Sequence, residues 1–418
     1  MSTTEDPGGE EPPDGTEHGG ARDGPAVASE RARWGLLVGA SVMSVSLGAY
    51  ELAPASVTTL IRGSLDIGPS AAGLIVSVMF GTAVVASIPV GVVLDRTNSR
   101  HAVAVAVGFL LVAGVWGWYA ASIGSYALLL GSRVLGGLAY VVVWNAGIDV
   151  VGRSFEAERQ ATAVATFTAS GPVGFAVGQA AAPIVAGAFG WPAVFPAFTA
   201  LSVVGLALFW PTSRGSGRAS DTPTPTFADL SRVVTDRRVW LVGILGFLGY
   251  SLYLFVNSWA PSYLTDELRL SLVVSGALSA LFPAVGVLSR ISGGVLSDRL
   301  FDGRRRPVVL ASFAVATPAV VAFTALRGVW VVVAALLVAG FAIQLCLGLV
   351  FAYVRELVEP AVAATAVAFL TSVGLAGAFL APIVGGALID ATSYGTAFLA
   401  AGVLGLVGVG MSWLAPEP

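Results

Sequence analysis

The sequence contains no lysine; all 22 of its basic residues are arginine. It has a single cysteine, Cys346, and two histidines, His18 and His101. One cysteine inside an apolar run excludes a disulfide framework and a thiolate metal cluster, and two histidines outside the apolar runs give no histidine-based metal site. Charge of either sign is scarce: 11% of the residues are Asp, Glu, Lys or Arg, against roughly 25% in ordinary soluble domains. The net charge of −3 favours no nucleic-acid partner. The sequence also lacks a nucleophile–base pair and a phosphate-binding loop, so it reads as neither an enzyme nor a cofactor protein.

What fills the chain instead is apolar sequence, 56% by residue type. A transmembrane helix needs about 20 mostly apolar residues to cross roughly 30 Å of hydrocarbon. With the Arg-containing breaks as punctuation, spans are predicted near 34–56, 69–94, 102–121, 125–150, 161–188 and 193–211. Six more follow near 239–260, 271–296, 307–326, 328–352, 361–389 and 395–414. The expected fold class is an all-α integral membrane protein with twelve transmembrane helices in two six-helix bundles. The expected divisions are a disordered acidic tail over 1–33, a first half over 34–211, a polar linker over 212–238 and a second half over 239–414. The tail carries eight acidic residues among many Gly and Pro, too little apolar surface to fold. Arginine is distributed unevenly between the two sides. Three loop arginines (Arg62, Arg269, Arg327) lie on one side, two more (Arg133, Arg290) lie inside spans, and the other seventeen lie on the opposite side. That bias predicts cytoplasmic termini and a cytoplasmic central linker.

The halves repeat one another. Gly91, Asp95 and Arg96 form a G-x-x-x-D-R segment at the end of the second span, with Arg100 following; Gly294, Asp298 and Arg299 repeat it 203 residues later. Ala161–Ala165 recurs as Ala364–Ala368. Gly178, Ala182, Pro183 and Gly187 recur as Gly377, Ala381, Pro382 and Gly386. Small residues at four-residue spacing let helix backbones approach closely, and paired half-repeats with interrupted helices are how secondary transporters are built. Asp95 lies at the negative end of its own helix dipole and so needs a partner: Arg96, Arg153, or the N-terminus of a neighbouring helix.

These segments resemble the Major Facilitator Superfamily. Gly91, Asp95, Arg96 and Arg100 match its loop signature G-x-x-x-D-R-x-G-x-R-R, with Asn98 and His101 as departures. Leu129, Arg133, Gly136 and Gly137 resemble a second motif, with Gly136 where Gln is usual. The Gly178–Pro183 segment is a degenerate form of an antiporter motif, with Ala182 and Ala186 replacing two glycines. The resemblance implies a plasma-membrane transporter, expected as a monomer, that carries a small solute with a coupling ion. It implies that Gly91, Asp95, Arg96, Arg100, Gly294, Asp298 and Arg299 gate the cycle, with the second and eleventh helices clamped in the outward-open state. Asp149 and Arg153, one turn apart, would join that charge cluster.

Ionisable residues within spans cost at least ~2.5–3.5 kcal/mol each on insertion scales, so each asks for a reason. Arg133 lies too deep for easy snorkelling, and the family's motif implies a role in coupling. Glu51 is expected in the outer third of the first helix, as a proton site, an outer vestibule residue or a partner for Arg62. Arg290, one turn before the second signature segment, resembles the cavity Arg of nitrate porters and monocarboxylate transporters, a role that suits a planar guanidinium fork. Nitrate porters carry a companion Arg in the second helix where this chain has Ser87, so a singly charged organic anion fits better than nitrate. Tyr140, Asn145, Tyr253, Asn257 and Gln344 are expected to line the cavity. The first reading is proton- or ion-coupled uptake of a small carboxylate-bearing solute. The alternative is proton-driven efflux of apolar compounds, with Glu51 as the proton site.

Overall fold

The computed structural model describes residues 30–213, 227–325 and 328–417. Sixteen α-helices follow one another among them: α1 Glu30–Ser56, α2 Thr58–Leu65, α3 Pro69–Arg96, α4 Ser99–Ser122, α5 Tyr126–Ser154, α6 Ala157–Phe189, α7 Val194–Thr212, α8 Phe227–Thr235, α9 Arg237–Asp266, α10 Leu272–Ser279, α11 Leu281–Ala284, α12 Gly286–Leu300, α13 Arg306–Ala325, α14 Val329–Glu356, α15 Ala363–Ala391 and α16 Tyr394–Leu414. Among the described residues twelve stretches are long and apolar enough to cross a membrane, at the places the sequence predicts. Nine are single long helices, two are α7 and α15 each entered through a short 3-10 turn, and one is assembled from α10, α11 and the start of α12.

The boundaries differ from the prediction where charges are satisfied locally. Residues 30–33, expected in the acidic tail, form the first turn of α1, because Glu30 accepts from Arg159 at 3.0 Å and Arg33 donates to Glu156 at 2.7 Å. Residues 1–29 of that tail lie outside the described residues. So do residues 214–226 of the linker, but its end is helical: α8 buries Val233 and packs against α15. Asp236 then caps α9, accepting from the Arg238 amide at 2.8 Å. α9 runs on past Pro261 to Asp266.

The repeated small-residue segments do what their spacing predicts. A Cβ on Gly178 would stand 2.5 Å from the Ala49 carbonyl oxygen, and one on its copy Gly377 would stand 2.3 Å from that of Phe247. α6 therefore lies directly on α1, and α15 lies in the same way on α9. The halves touch chiefly through α3 with α15, through α6 with α10, α11 and α12, and through α1 with α9 and α10. Away from these seams the helices carry exposed apolar residues such as Val112 and Val115 of α4 and Val403 and Leu406 of α16, a surface that suits lipid rather than water.

The contact between halves is one-sided. Along α3, Gly73 and Gly81 share a face with Val85, Ile88 and Val92, since the steps are multiples of three and four residues. Gly73 meets the Pro382 carbonyl, where a Cβ would stand 2.3 Å away, and Gly81 meets the Phe379 ring. Further along the same face, Val85 is 79% exposed and Ile88 74% exposed. The halves are thus closed at the end where arginine is rare and spread apart at the Arg-rich end.

Candidate functional site

The space between the halves is lined near its closed end by aromatic rings. Tyr253 of α9 stacks between Phe175 of α6 and Phe282 of α11, with ring centroids 5.8 and 5.6 Å apart. Phe80, Tyr140 and Trp144 form a second series, with spacings of 6.0 and 6.2 Å. The Tyr253 hydroxyl is buried with no hydrogen-bond partner among the described residues. Tyr140 and Tyr250 are half-buried. Arg290 is half-buried too, its Nε makes no hydrogen bond, and no described carboxylate pairs with it. Tyr140, Tyr250 and Tyr253 each lie within electrostatic reach of both Arg290 and Glu51. One unpaired cation, one carboxylate and three phenols therefore converge on the same region, drawn from α1, α5, α9 and α12.

Glu51 is 1% exposed, and its Oε1 makes no hydrogen bond. It is buried at the closed end and does not pair with Arg62, which instead stands 3.7 Å from Asp266. Seventeen of the 27 residues of α1 are buried, including every one from Ser46 to Ser56, so the helix carries its carboxylate inside the packed closed end.

Arg133 is fully buried and hydrogen-bonded to backbone rather than to a carboxylate. Nη1 donates to the Tyr50 carbonyl at 2.8 Å, Nη2 to that of Glu51 at 2.8 Å and Nε to that of Ile75 at 2.9 Å. The guanidinium also lies 4.5 Å above the Tyr50 ring. Pro54 explains the site: it has no N–H to give the carbonyl four residues before it, which is Tyr50's. Arg133 supplies that missing donor. The proline is a signal in the sequence that could have found this role.

Two other residues expected in the cavity are held by main chain. Asn257 donates to the Tyr253 carbonyl at 2.8 Å and accepts from Gln179 of α6 at 3.1 Å, an amide bridge between the halves. Gln344 is buried against the broken eighth span, where its Nε2 donates to the carbonyls of Phe282 and Pro283, each at 3.3 Å. Asn145, by contrast, is exposed. It shares a helix face with Leu138 and Val141, which pack between the halves.

At the Arg-rich end the residues expected to gate the cycle bond within their own halves. Asp149 pairs with Arg153 at 2.8 Å and accepts from Ser99 at 2.9 Å, tying α5 to the first turn of α4. Arg100 donates to the Trp210 carbonyl at 2.9 Å and lies 3.9 Å over its ring. In the second copy Arg305 joins Asp298 at 2.8 Å to Glu356 at 2.9 Å, and Glu356 holds the guanidinium's pKa above its ordinary value. Sequence reading counts Arg305 only among the loop arginines and does not single out Glu356, which reaches it from α14, 51 residues away. Arg96 and Arg299 are exposed, and a Cβ on Gly91 or Gly294 would meet nothing within 4 Å. The side chain of Asp95 lies outside those described.

The description of the Major Facilitator Superfamily matches residues 36–365 and 293–418. The chain belongs to this superfamily. Among curated relatives, it is 26% identical over 374 residues to the probable nitrate/nitrite transporter NarK2 of Mycobacterium tuberculosis, covering 85% of this chain and 89% of the relative. It is 23% identical over 269 residues to the uncharacterized MFS-type transporter YtbD of Bacillus subtilis, covering 63% of this chain but only 65% of that protein. A bacterial homolog of the human lysosomal transporter Spinster, solved inward-facing and unoccupied, superposes with a TM-score of 0.80 at 16% identity, over 93% of this chain and 97% of that one. The chain is thus a membrane protein with twelve spans among its described residues, and its family and fold are those of transporters.

Proposed function

We propose that this transporter takes up a small organic anion, a carboxylate, together with a proton, by alternating exposure of the inter-half space to the two sides of the plasma membrane. The observation that carries the reading is Arg290, a half-buried guanidinium between the halves with no described carboxylate to neutralise it. An uncompensated cation in a low-dielectric space is costly unless a ligand anion completes it. A guanidinium fork takes a carboxylate through two parallel hydrogen bonds. The Tyr253 hydroxyl, Tyr140 and Asn145 are the neighbouring groups able to orient the rest of the solute. Glu51 is the proton site in this reading, because it is a buried carboxylate whose Oε1 has no hydrogen-bond partner, and protonating it offsets the negative charge of an entering anion. The nitrate and nitrite for which NarK2 is named are anions as well, which supports the sign of the charge carried. With Ser87 bonded to its own helix at Ala83, the second helix contributes no companion cation. The excess of arginine at the open end supports a cytoplasmic orientation for it, and hence an inward-facing state with both termini inside.

The test is binding by the purified protein. A ligand stabilises by RT ln(1 + [L]/Kd), about 2.7 kcal/mol at a hundredfold excess over Kd. A panel of organic acids should contain members that raise the melting temperature of the wild type and leave Arg290→Ala unmoved. Equal shifts in both proteins would remove Arg290 as the anchor.

A second reading, proton-driven efflux of apolar compounds, draws on the buried Glu51 Oε1 that no donor satisfies. It gains if Glu51→Gln stops efflux of hydrophobic dyes while Arg290→Ala leaves every tested anion unaffected.

A further inference from the structure

At the closed end, two carboxylates of the second half grip the first half. Asp266 ends α9. Its Oδ1 accepts from the Thr59 hydroxyl at 3.4 Å and its Oδ2 lies 3.7 Å from the Arg62 guanidinium, both groups on α2. Tyr394, from its own half, donates to the same Oδ2 at 2.7 Å and fixes the carboxylate in place. Asp390, near the end of α15, lies beside Gly68, the residue that precedes α3: a Cβ added there would stand 2.9 Å from Asp390 Oδ2. That end of α3 is the positive pole of its helix dipole, where a carboxylate is stabilised. A crevice of about 350 Å³ separates the two grips, lined by Arg62, Asp266, Glu267, Asp390 and Tyr394 among others.

We propose that Asp266 and Asp390 form the latch that holds the transporter shut on the Arg-poor face, and that releasing it is the step that opens this face to the substrate. The inference rests on the alternating-access reading given above. Asp266 to Thr59 and Arg62, and Asp390 to the start of α3, are contacts between halves, so the latch constrains the seam and not the interior of either bundle. The side chains of Arg62 and Asp266 are 29% and 27% exposed, so water can replace each contact as it breaks. Partly exposed ion pairs are weak, shifting an equilibrium by a few-fold, a strength that a transport cycle can overcome at every turn. Deeper contacts of the same seam, Gly73 on Pro382 and Gln179 on Asn257, lie behind the latch and separate after it. The Arg-rich face has charges at the matching places, Asp298, Arg305 and Glu356, but there each bond stays within one half.

The experiment is a distance measurement on the full chain in lipid nanodiscs. Spin labels go on Ser64→Cys and Ala391→Cys, two exposed positions on opposite sides of the closed seam. The native Cys346 is buried and does not compete for label. Wild type should show a dominant short distance. Asp266→Asn combined with Asp390→Asn should raise the long-distance population about three- to tenfold. Charge reversal, Arg62→Asp with Asp266→Arg, should return the distribution towards wild type. Thr59→Val and Tyr394→Phe each remove one bond and should move it in the same direction by less, which keeps the test intact if the double variant does not fold. A double variant with the wild-type distribution would overturn the latch. A wild type that shows one population under every ligand condition would overturn alternating access itself, so the two failures are separable.

Discussion

Arg133 shows, at the scale of one residue, that an intramembrane charge can have a structural use beside any role in coupling. From sequence, a deep arginine in a family motif suggests proton coupling. In the fold its three donors are spent on the carbonyls of Tyr50, Glu51 and Ile75, and the first of these has no other donor because of Pro54. Arg133→Ala should therefore lower stability by about 3–5 kcal/mol, by leaving buried carbonyls unsatisfied. Arg133→Lys should recover only part of it, since a point charge cannot serve three acceptors as a fork does. Denaturation of the purified variants measures this directly. A normally stable Arg133→Ala protein that binds substrate but no longer couples to protons would restore the sequence-based role. Arg290 differs in kind: with no described carboxylate beside it, its position calls for a ligand rather than a structural explanation.

At the scale of elements, the spans were legible because hydrocarbon thickness leaves little choice of length, and the half-repeat was legible because Gly178 and Gly377 serve the same backbone contact. The eighth span was not. Its apolar run reads as continuous, yet it is divided into α10, α11 and α12, and the cause lies in another helix: Gln344 of α14 inserts its amide against Phe282 and Pro283. A Cβ on Gly286 would stand 1.8 Å from the Gln344 Nε2. Gly286→Ala should thus reduce the yield of folded protein and its melting temperature, by the 1–3 kcal/mol typical of overpacking, about what a single inserted methyl costs. Adding Gln344→Ala should restore most of the loss. If Gly286→Ala alone is as stable as wild type, the close approach is not a constraint. The same limit applies to the cavity. Polar residues in spans can be picked out from sequence, but not whether main chain already uses them, as it does Asn257 and Gln344. The electrostatic link of Arg290 to three tyrosines on α5 and α9 is likewise a tertiary fact that no local pattern contains.

For the whole molecule, the asymmetry of the seam is the functional statement. The halves are joined at the Arg-poor face and parted at the Arg-rich face, where Gly91 and Gly294 have no neighbour in reach. If the signature loops latch that second face when it closes, Asp95→Asn should slow turnover several-fold while leaving the substrate dissociation constant unchanged. Undiminished turnover in reconstituted vesicles would take the gating role away from Asp95. The central claim is carboxylate uptake anchored by Arg290. It is tested most directly by measuring uptake of a labelled organic acid, chosen from the binding panel, into proteoliposomes under an inward proton gradient. Wild type should accumulate the acid above its equilibrium level, Arg290→Ala should fall at least about tenfold, the loss of one charged hydrogen-bonded contact, and Glu51→Gln should exchange acid without responding to the gradient. Accumulation by Arg290→Ala equal to that of wild type would contradict the account.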